Sequence, residues 1–98
     1  MFVGSLSLDL LLGDVHSLKQ KRSLVRPLVS ELGRRFEVSA AETGYQDLHR
    51  RTELGVALVG ADAAHCADVL RACERFVVER PEVEVLAARH RIWDDQDA

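Results

Sequence analysis

Residues 16–36 read HSLKQKRSLVRPLVSELGRRF, and the rest of the chain is organised around this stretch. Apolar residues recur in it every three or four positions, which is the spacing of a helix with one face on a core. They are Leu18, Leu24, Val25, Leu28, Val29, Leu32 and Phe36. Ser17 is the predicted N-cap, and Gln20 three residues later completes a capping box. The stretch therefore predicts an amphipathic helix.

Pro27 lies near the middle of this predicted helix. A proline there removes one helical hydrogen bond, so it either kinks a single helix or begins a second one. We favour the kinked single helix, because the apolar stripe keeps its phase across Pro27.

The same stretch concentrates the positive charge of the chain. Residues 17–36 carry a net charge of +5, whereas the whole chain of 98 residues carries −3. This mildly acidic total argues against a bulk nucleic-acid binder, so any phosphate contact has to be local. Lys19, Arg22 and Arg26 recur at three and four residues, a stripe that phosphates can follow. A solvated helix face and a contact with an acidic protein explain the same pattern.

The segments outside the helix predict four strands and a second helix. Period-two alternation of apolar and polar residues predicts strands at 2–12, 37–43, 52–59 and 83–93. Asp62 is a good N-cap for a helix over 63–79. The alternation changes phase at Val85-Leu86, which predicts a β-bulge there.

The order of these elements, β-α-β-β-α-β, predicts the fold class. With right-handed crossovers on an antiparallel sheet it gives a ferredoxin-like α+β fold. We expect a four-stranded sheet in the order 4-1-3-2, with both helices on one face. A single domain should cover residues 1–93, followed by an acidic, frayed tail at 94–98.

Composition and cysteine spacing limit the class of protein. The start of the chain has no basic n-region and alternates, so it reads as a strand rather than a signal peptide. No apolar run is long enough to span a membrane. Cys66 and Cys73, seven residues apart on one helix, are too distant for a disulfide and predict buried thiols. We expect a cytoplasmic protein without a metal or a cofactor.

The predicted topology brings the end of the first strand and the connection between the second and third strands together. This end should hold a polar cluster consisting of His16, Lys21, Glu42, Asp47 and His49. Lys21 lies within the apolar arc of the helix, and Glu42 continues the inward phase of its strand. We predict an ion pair between them, which either closes the core or takes part in ligand binding or catalysis.

Evidence for an enzyme is weak. His16 and His49 are acid–base candidates, and an enzyme would use one of them with Glu42 and Asp47. The chain lacks the spacings of metal, dinucleotide, P-loop and serine-hydrolase sites. We therefore expect no catalytic residues.

The face of the sheet that the helices leave open carries small residues on its first and third strands. They are Val3, Ser5, Ser7, Gly55, Ala57 and Val59. RNA readers of the RRM type stack bases on aromatic residues of these two strands, so that mode of binding is not expected. A flat, partly apolar surface instead suits self-association into a homodimer.

Several segments together are similar to the bacterial YlxP-like proteins, a domain of unknown function. They are residues 16–22 (HSLKQKR), Phe36 with Val38-Ser39, Glu42, Gln46-Asp47-Leu48 and residues 54–59 (LGVALV). The resemblance covers nearly the whole chain and departs from the family at Pro27 and at His49, where members often carry tryptophan. It implies a ferredoxin-like fold and a translation-linked role, and it assigns no catalytic residues.

Two functions from different classes follow. The first is a non-enzymatic factor that contacts RNA or a ribosomal particle through phosphate contacts. Its expected contact residues are Lys19, Arg22, Arg26, Arg34, Arg50 and Arg51. The second is a homo-oligomeric adaptor that binds protein through the open face of the sheet.

Overall fold

The computed structural model describes residues 1–97 and contains four strands and two helices in the order β-α-β-β-α-β. They are β1 (Phe2–Leu12), α1 (Leu18–Phe36), β2 (Ser39–Gly44), β3 (Arg51–Gly60), α2 (Ala63–Val78) and β4 (Val83–Asp94). All neighbouring strands are antiparallel, and the sheet order is β2-β3-β1-β4. The predicted ferredoxin-like α+β fold is therefore confirmed, including the strand order.

The core lies between one face of the sheet and the two helices. Leu6, Leu8 and Leu10 of β1 are buried, and the intervening residues are not, which confirms the predicted alternation. Both helices contribute to this one core, through Val25, Leu28 and Leu32 of α1 and through Leu70, Cys73 and Val77 of α2. The opposite face of the sheet is left uncovered by the helices.

The predicted β-bulge lies in β4. Asp9 of β1 pairs with Ala87, whereas the next residue, Leu10, pairs with Val85. Leu86 is the additional residue, and it is exposed. The bulge restores the inward phase, so that Val85 on one side of it and Ile92 on the other both pack against the core.

α1 is one helix that continues through Pro27, so the alternative of two separate helices is wrong. Ser17 Oγ accepts a hydrogen bond from the Gln20 N–H, which confirms the N-cap. Gln20 Oε1 in turn accepts from the N–H of His16, one residue earlier than a standard capping box requires. Glu37 ends the helix in the left-handed conformation with φ 54°, which is why β2 begins at Ser39 rather than at residue 37.

The start of β1 lies beside the end of β4. Asp94 is the last residue of β4, and the carboxylate of Asp95 lies 2.9 Å from the amino group of Met1. This hydrogen bond lowers the pKa of the Asp95 carboxyl. Of the predicted tail at 94–98, Ala98 lies outside the described residues. Within residues 1–97, neither helix is long and apolar enough to cross a membrane.

Candidate functional site

The end of the sheet at which three connections meet forms the candidate site. The N–H of Leu12 donates to the carbonyl of Arg50 at 2.8 Å, and the N–H of Gly13 donates to the carbonyl of Glu82 at 3.1 Å. The turn after β1 therefore lies against the β2–β3 connection and the α2–β4 connection. This arrangement is the one that the topology predicts.

Lys21 and Glu42 form the predicted ion pair at this end. The Lys21 Nζ lies 2.9 Å from Glu42 Oε2. The side chain of Lys21 is 2% exposed and that of Glu42 is 24% exposed. Nζ also donates to the carbonyl oxygen of Tyr45 at 2.6 Å, and Thr52 Oγ1 donates to the same Glu42 Oε2 at 2.6 Å. The prediction that these two residues pair is confirmed.

This ion pair fastens the β2–β3 connection to α1. A buried ammonium group is tolerated only when a charged partner and further acceptors replace its water. Tyr45 supplies one such acceptor from a left-handed backbone conformation with φ 57°. Gln46 follows it and donates from Nε2 to the carbonyl of Glu42 at 3.2 Å. The connection is thus held on the helix by both its backbone and its side chains.

A cavity of about 250 Å³ opens beside the ion pair, between one flank of α1 and β2. It is lined by Leu18, Lys21, Arg22, Val25, Arg26, Val29, Glu42 and Gln46. Its walls therefore combine apolar side chains, two guanidinium groups and one carboxylate. Both hydrogen-bonding contacts of the Glu42 carboxylate use Oε2, and Oε1 accepts no hydrogen bond within residues 1–97.

The outer face of α1 carries four basic residues, which we call the α1 stripe: Lys19, Arg22, Arg26 and Arg34. All four are exposed, and none of them forms an ion pair with another residue of the described chain. At a rise of about 1.5 Å per residue the stripe is about 22 Å long. It lies on the exposed side of α1, and two of its members, Arg22 and Arg26, also line the cavity beside β2.

The structure places the two other predicted phosphate contacts away from the α1 stripe. Arg51 points to the open face of the sheet, where it donates to both carboxylate oxygens of Asp9 at 2.8–2.9 Å. Its guanidinium also lies 4.5 Å from the centre of the Tyr45 ring. Arg50 donates from Nε to the carbonyl of Leu12 at 3.0 Å. Both side chains are thus occupied by contacts that hold the fold.

The remaining members of the predicted polar cluster lie on the surface. The His16 ring lies 3.3 Å from Asp14, and both side chains are largely exposed. Asp47 and His49 are exposed in the β2–β3 connection. Within residues 1–97, no three His, Cys, Asp or Glu side chains are arranged to hold a metal ion. Of the five residues, only Lys21 and Glu42 are joined by a contact.

Sequence reasoning missed a second basic region, on the open face of β4. Ser7 pairs with Arg89, Ser5 with Arg91 and Val3 with Trp93, so all three β4 residues share the face of the small β1 residues. The Arg91 guanidinium lies 5.0 Å from the centre of the Trp93 ring. The signal is present in the sequence as alternation, since Arg89, Arg91 and Trp93 recur at every second residue of the last strand.

The fold and this surface define a class, the small ferredoxin-like α+β domains that carry a basic helix. Within that class, the chain belongs to the family described as "Protein of unknown function (DUF503)", whose model matches residues 3–90. It is 30% identical over 82 residues to "Uncharacterized protein YlxP" of Bacillus subtilis strain 168. That alignment covers 84% of this chain and 89% of the relative. The resemblance to the YlxP-like proteins is thereby confirmed, and neither description states an activity.

Proposed function

We propose that this protein binds the sugar-phosphate backbone of RNA through the α1 stripe. One observation carries the proposal: the four basic residues of the stripe are exposed and form no ion pair within residues 1–97. Other basic residues are engaged internally, such as Lys21 with Glu42 and Arg80 with Glu31. Arg89 and Arg91 on the open face of β4 are also exposed and form no ion pair within residues 1–97, so the stripe is the larger of these two groups of basic residues available to an outside partner.

The chemistry of the stripe suits phosphates. A guanidinium group presents a planar fork of N–H donors that matches phosphate oxygens, and Arg22 and Arg26 present two such forks one helical turn apart. Contacts of this kind fix the position of a nucleic acid but do not read its sequence. The proposed activity is binding without base specificity, either to free RNA or to RNA within a ribosomal particle.

The structure also reduces the set of residues proposed to contact phosphates. Arg51 would have to leave Asp9, and Arg50 would have to leave the Leu12 carbonyl, before either contacted a phosphate. Such a loss offsets the gain from the new contact. The proposal therefore retains the α1 stripe and omits Arg50 and Arg51.

Salt dependence of binding tests the proposal. Fluorescence anisotropy with a short single-stranded oligouridylate should give a slope of log K against log salt of about −2.8, the value for four phosphate contacts. The double variant Arg22→Gln/Arg26→Gln should flatten that slope by about 1.4, because two contacts are lost. The matched control is Arg71→Gln/Arg75→Gln, which changes the net charge equally on the exposed surface of α2.

The control separates a local contact from a general effect of charge. We expect the control variant to bind as the wild type does. Equal weakening in the two double variants, or no binding of oligouridylate by the wild type at low salt, would contradict the proposal.

A second candidate function is a homodimer formed through the open face of the sheet. The observation in its favour is an exposed apolar side chain, Val59, which is 63% exposed beside the small residues Ser5 and Ala57. Val59 pairs across the sheet with Val3, and Val3 pairs with Trp93, so the three form an apolar row on this face, and apolar patches are commonly covered by another surface. Ala57→Glu should convert the dimer to a monomer in sedimentation velocity, and a wild type that is monomeric at high concentration would reject this candidate.

A further inference from the structure

We propose that the cavity between α1 and β2 receives one unpaired base of the bound RNA, so that the protein prefers single-stranded to duplex RNA. This inference rests on the proposed function. Three features support it: the apolar wall of the cavity, the Glu42 side chain that lines it and whose Oε1 accepts no hydrogen bond within residues 1–97, and two arginine side chains. A nucleotide within a single strand presents a complementary group to each of them.

The apolar wall suits a flat ring. Leu18 and Val29 are half-buried, and Val25 is 4% exposed, so the first two still offer apolar surface to a ligand. Removing that surface from water is favourable in proportion to its area. The cavity of about 250 Å³ is smaller than the pockets of about 300–1,000 Å³ that enclose drug-sized ligands. It therefore fits a single ring system better than a whole nucleotide.

The Glu42 carboxylate is an acceptor for the N–H groups of an unpaired base. Oε2 is used by Lys21 and Thr52, and Oε1 remains free to accept a hydrogen bond. Nucleobases carry N–H donors on the edge that forms base pairs, and those donors are available only in an unpaired base.

The two arginines connect the cavity to the α1 stripe. Arg22 and Arg26 are exposed, line the cavity and lie about 6 Å apart along the helix axis. They are placed to contact the phosphates on either side of an inserted base. In a duplex the bases are stacked and paired, so the phosphates can still reach the stripe but no base can enter the cavity.

The test is to fill the cavity and compare two probes. Val29→Phe places a ring in the cavity and leaves both arginines unchanged, and the matched control Val78→Phe alters an exposed valine of α2. The probes are a single-stranded oligoadenylate and an RNA hairpin duplex of the same charge. The wild type and Val78→Phe should bind the single strand about tenfold more tightly than the duplex, the order expected for burying one ring against apolar side chains. Val29→Phe should remove that difference and leave duplex binding unchanged.

A second measurement does not depend on the folding of a variant. The wild type should bind an abasic ribose-phosphate strand about as weakly as it binds the duplex. Equal affinity for the oligoadenylate and the abasic strand would overturn the inference and leave the proposed function standing. Displacement of the RNA by oligoglutamate, with loss of oligoglutamate binding in Val29→Phe, would also overturn it. Failure of the proposed function would instead appear as no salt-dependent binding to any of the probes.

Discussion

The two faces of α1 use positive charge in opposite ways. On the inner face, Lys21 is 2% exposed and bonded to Glu42 and to the carbonyl of Tyr45. On the outer face, Arg22 and Arg26 are exposed and form no ion pair within residues 1–97. A charge buried in the core needs a partner in the same molecule, whereas a charge on the surface does not. Stability and binding should therefore respond to different residues of one helix.

The largest effect on stability is expected from removing the ion pair on the inner face of α1. Glu42→Gln should lower the free energy of unfolding by about 3 kcal/mol, because it leaves the buried Lys21 ammonium without a charged partner. Urea denaturation measures this change. The matched control is Glu31→Gln, which breaks a pair with Arg80 whose two side chains are each 36% exposed. This control variant should lower the free energy of unfolding by less than about 1 kcal/mol.

Two results would contradict this prediction. Equal effects of Glu42→Gln and Glu31→Gln would show that burial does not distinguish the two pairs. In addition, Lys21→Met should be less harmful in the presence of Glu42→Gln than alone, because both partners are then neutral. Strict additivity of the two changes would show that the pair is not coupled.

The next largest effect on stability is expected from the Cys73 thiol, which is buried among apolar residues. Burial raises the pKa of the Cys73 thiol to about 11, from an ordinary value of 9.0. The folded protein then holds this proton more tightly than the unfolded chain does. The resulting stability is fully present below about pH 9 and is lost as the pH rises towards about 11. The loss amounts to about 2–3 kcal/mol, since one pKa unit corresponds to about 1.4 kcal/mol.

Urea denaturation from neutral pH to alkaline pH measures this loss. Cys73→Ala serves as the reference, because other groups also titrate in this range and should do so in both proteins. The wild type should lose more stability than the variant between about pH 9 and 11. Parallel curves for the two proteins would contradict the assignment to Cys73.

A smaller effect on stability is expected from the N-cap of α1. Ser17→Ala removes the oxygen that accepts from the Gln20 N–H at 3.1 Å. It should lower the free energy of unfolding by about 1 kcal/mol, as is usual for N-cap residues. Ser17→Asp should restore most of this loss, because aspartate caps a helix equally well. If the aspartate variant were as unstable as the alanine variant, the capping contribution would be refuted.

Local patterns were sufficient to predict the fold. The alternation in β1, the apolar stripe of α1 and the phase change at Leu86 each depend on neighbouring residues only, and all three are present in the structure. The Lys21–Glu42 pair could be predicted as well. Each of the two residues breaks an inward apolar pattern, and the predicted topology brings the two elements together.

Contacts between distant strands could not be predicted in the same way. Nothing near Arg51 in the chain indicates that Asp9 is its partner, because the pairing depends on the register between β1 and β3. The cavity was missed for a similar reason. It arises where the flank of α1 meets β2, and neither segment alone contains a motif for it. Sequence patterns thus predicted which faces are buried, but not which surface side chains meet.

The smallest effect on stability is expected from substitutions on the outer face of α1. We expect these substitutions to stabilise the protein rather than destabilise it. Arg22 and Arg26 are four residues apart, so their like charges repel, and the first turn of α1 carries basic residues without any acidic one. Arg22→Gln/Arg26→Gln should therefore raise the free energy of unfolding by about 0.5 kcal/mol while it weakens RNA binding.

Urea denaturation beside the anisotropy measurement checks both changes, with Arg71→Gln/Arg75→Gln as the reference. Arg71 forms an ion pair with Asp68, so its loss should not stabilise the protein. A clear loss of stability in the Arg22/Arg26 variant would show that these arginines support the helix itself. A gain would mean that α1 carries this charge at the expense of stability, as is common where binding competes with folding.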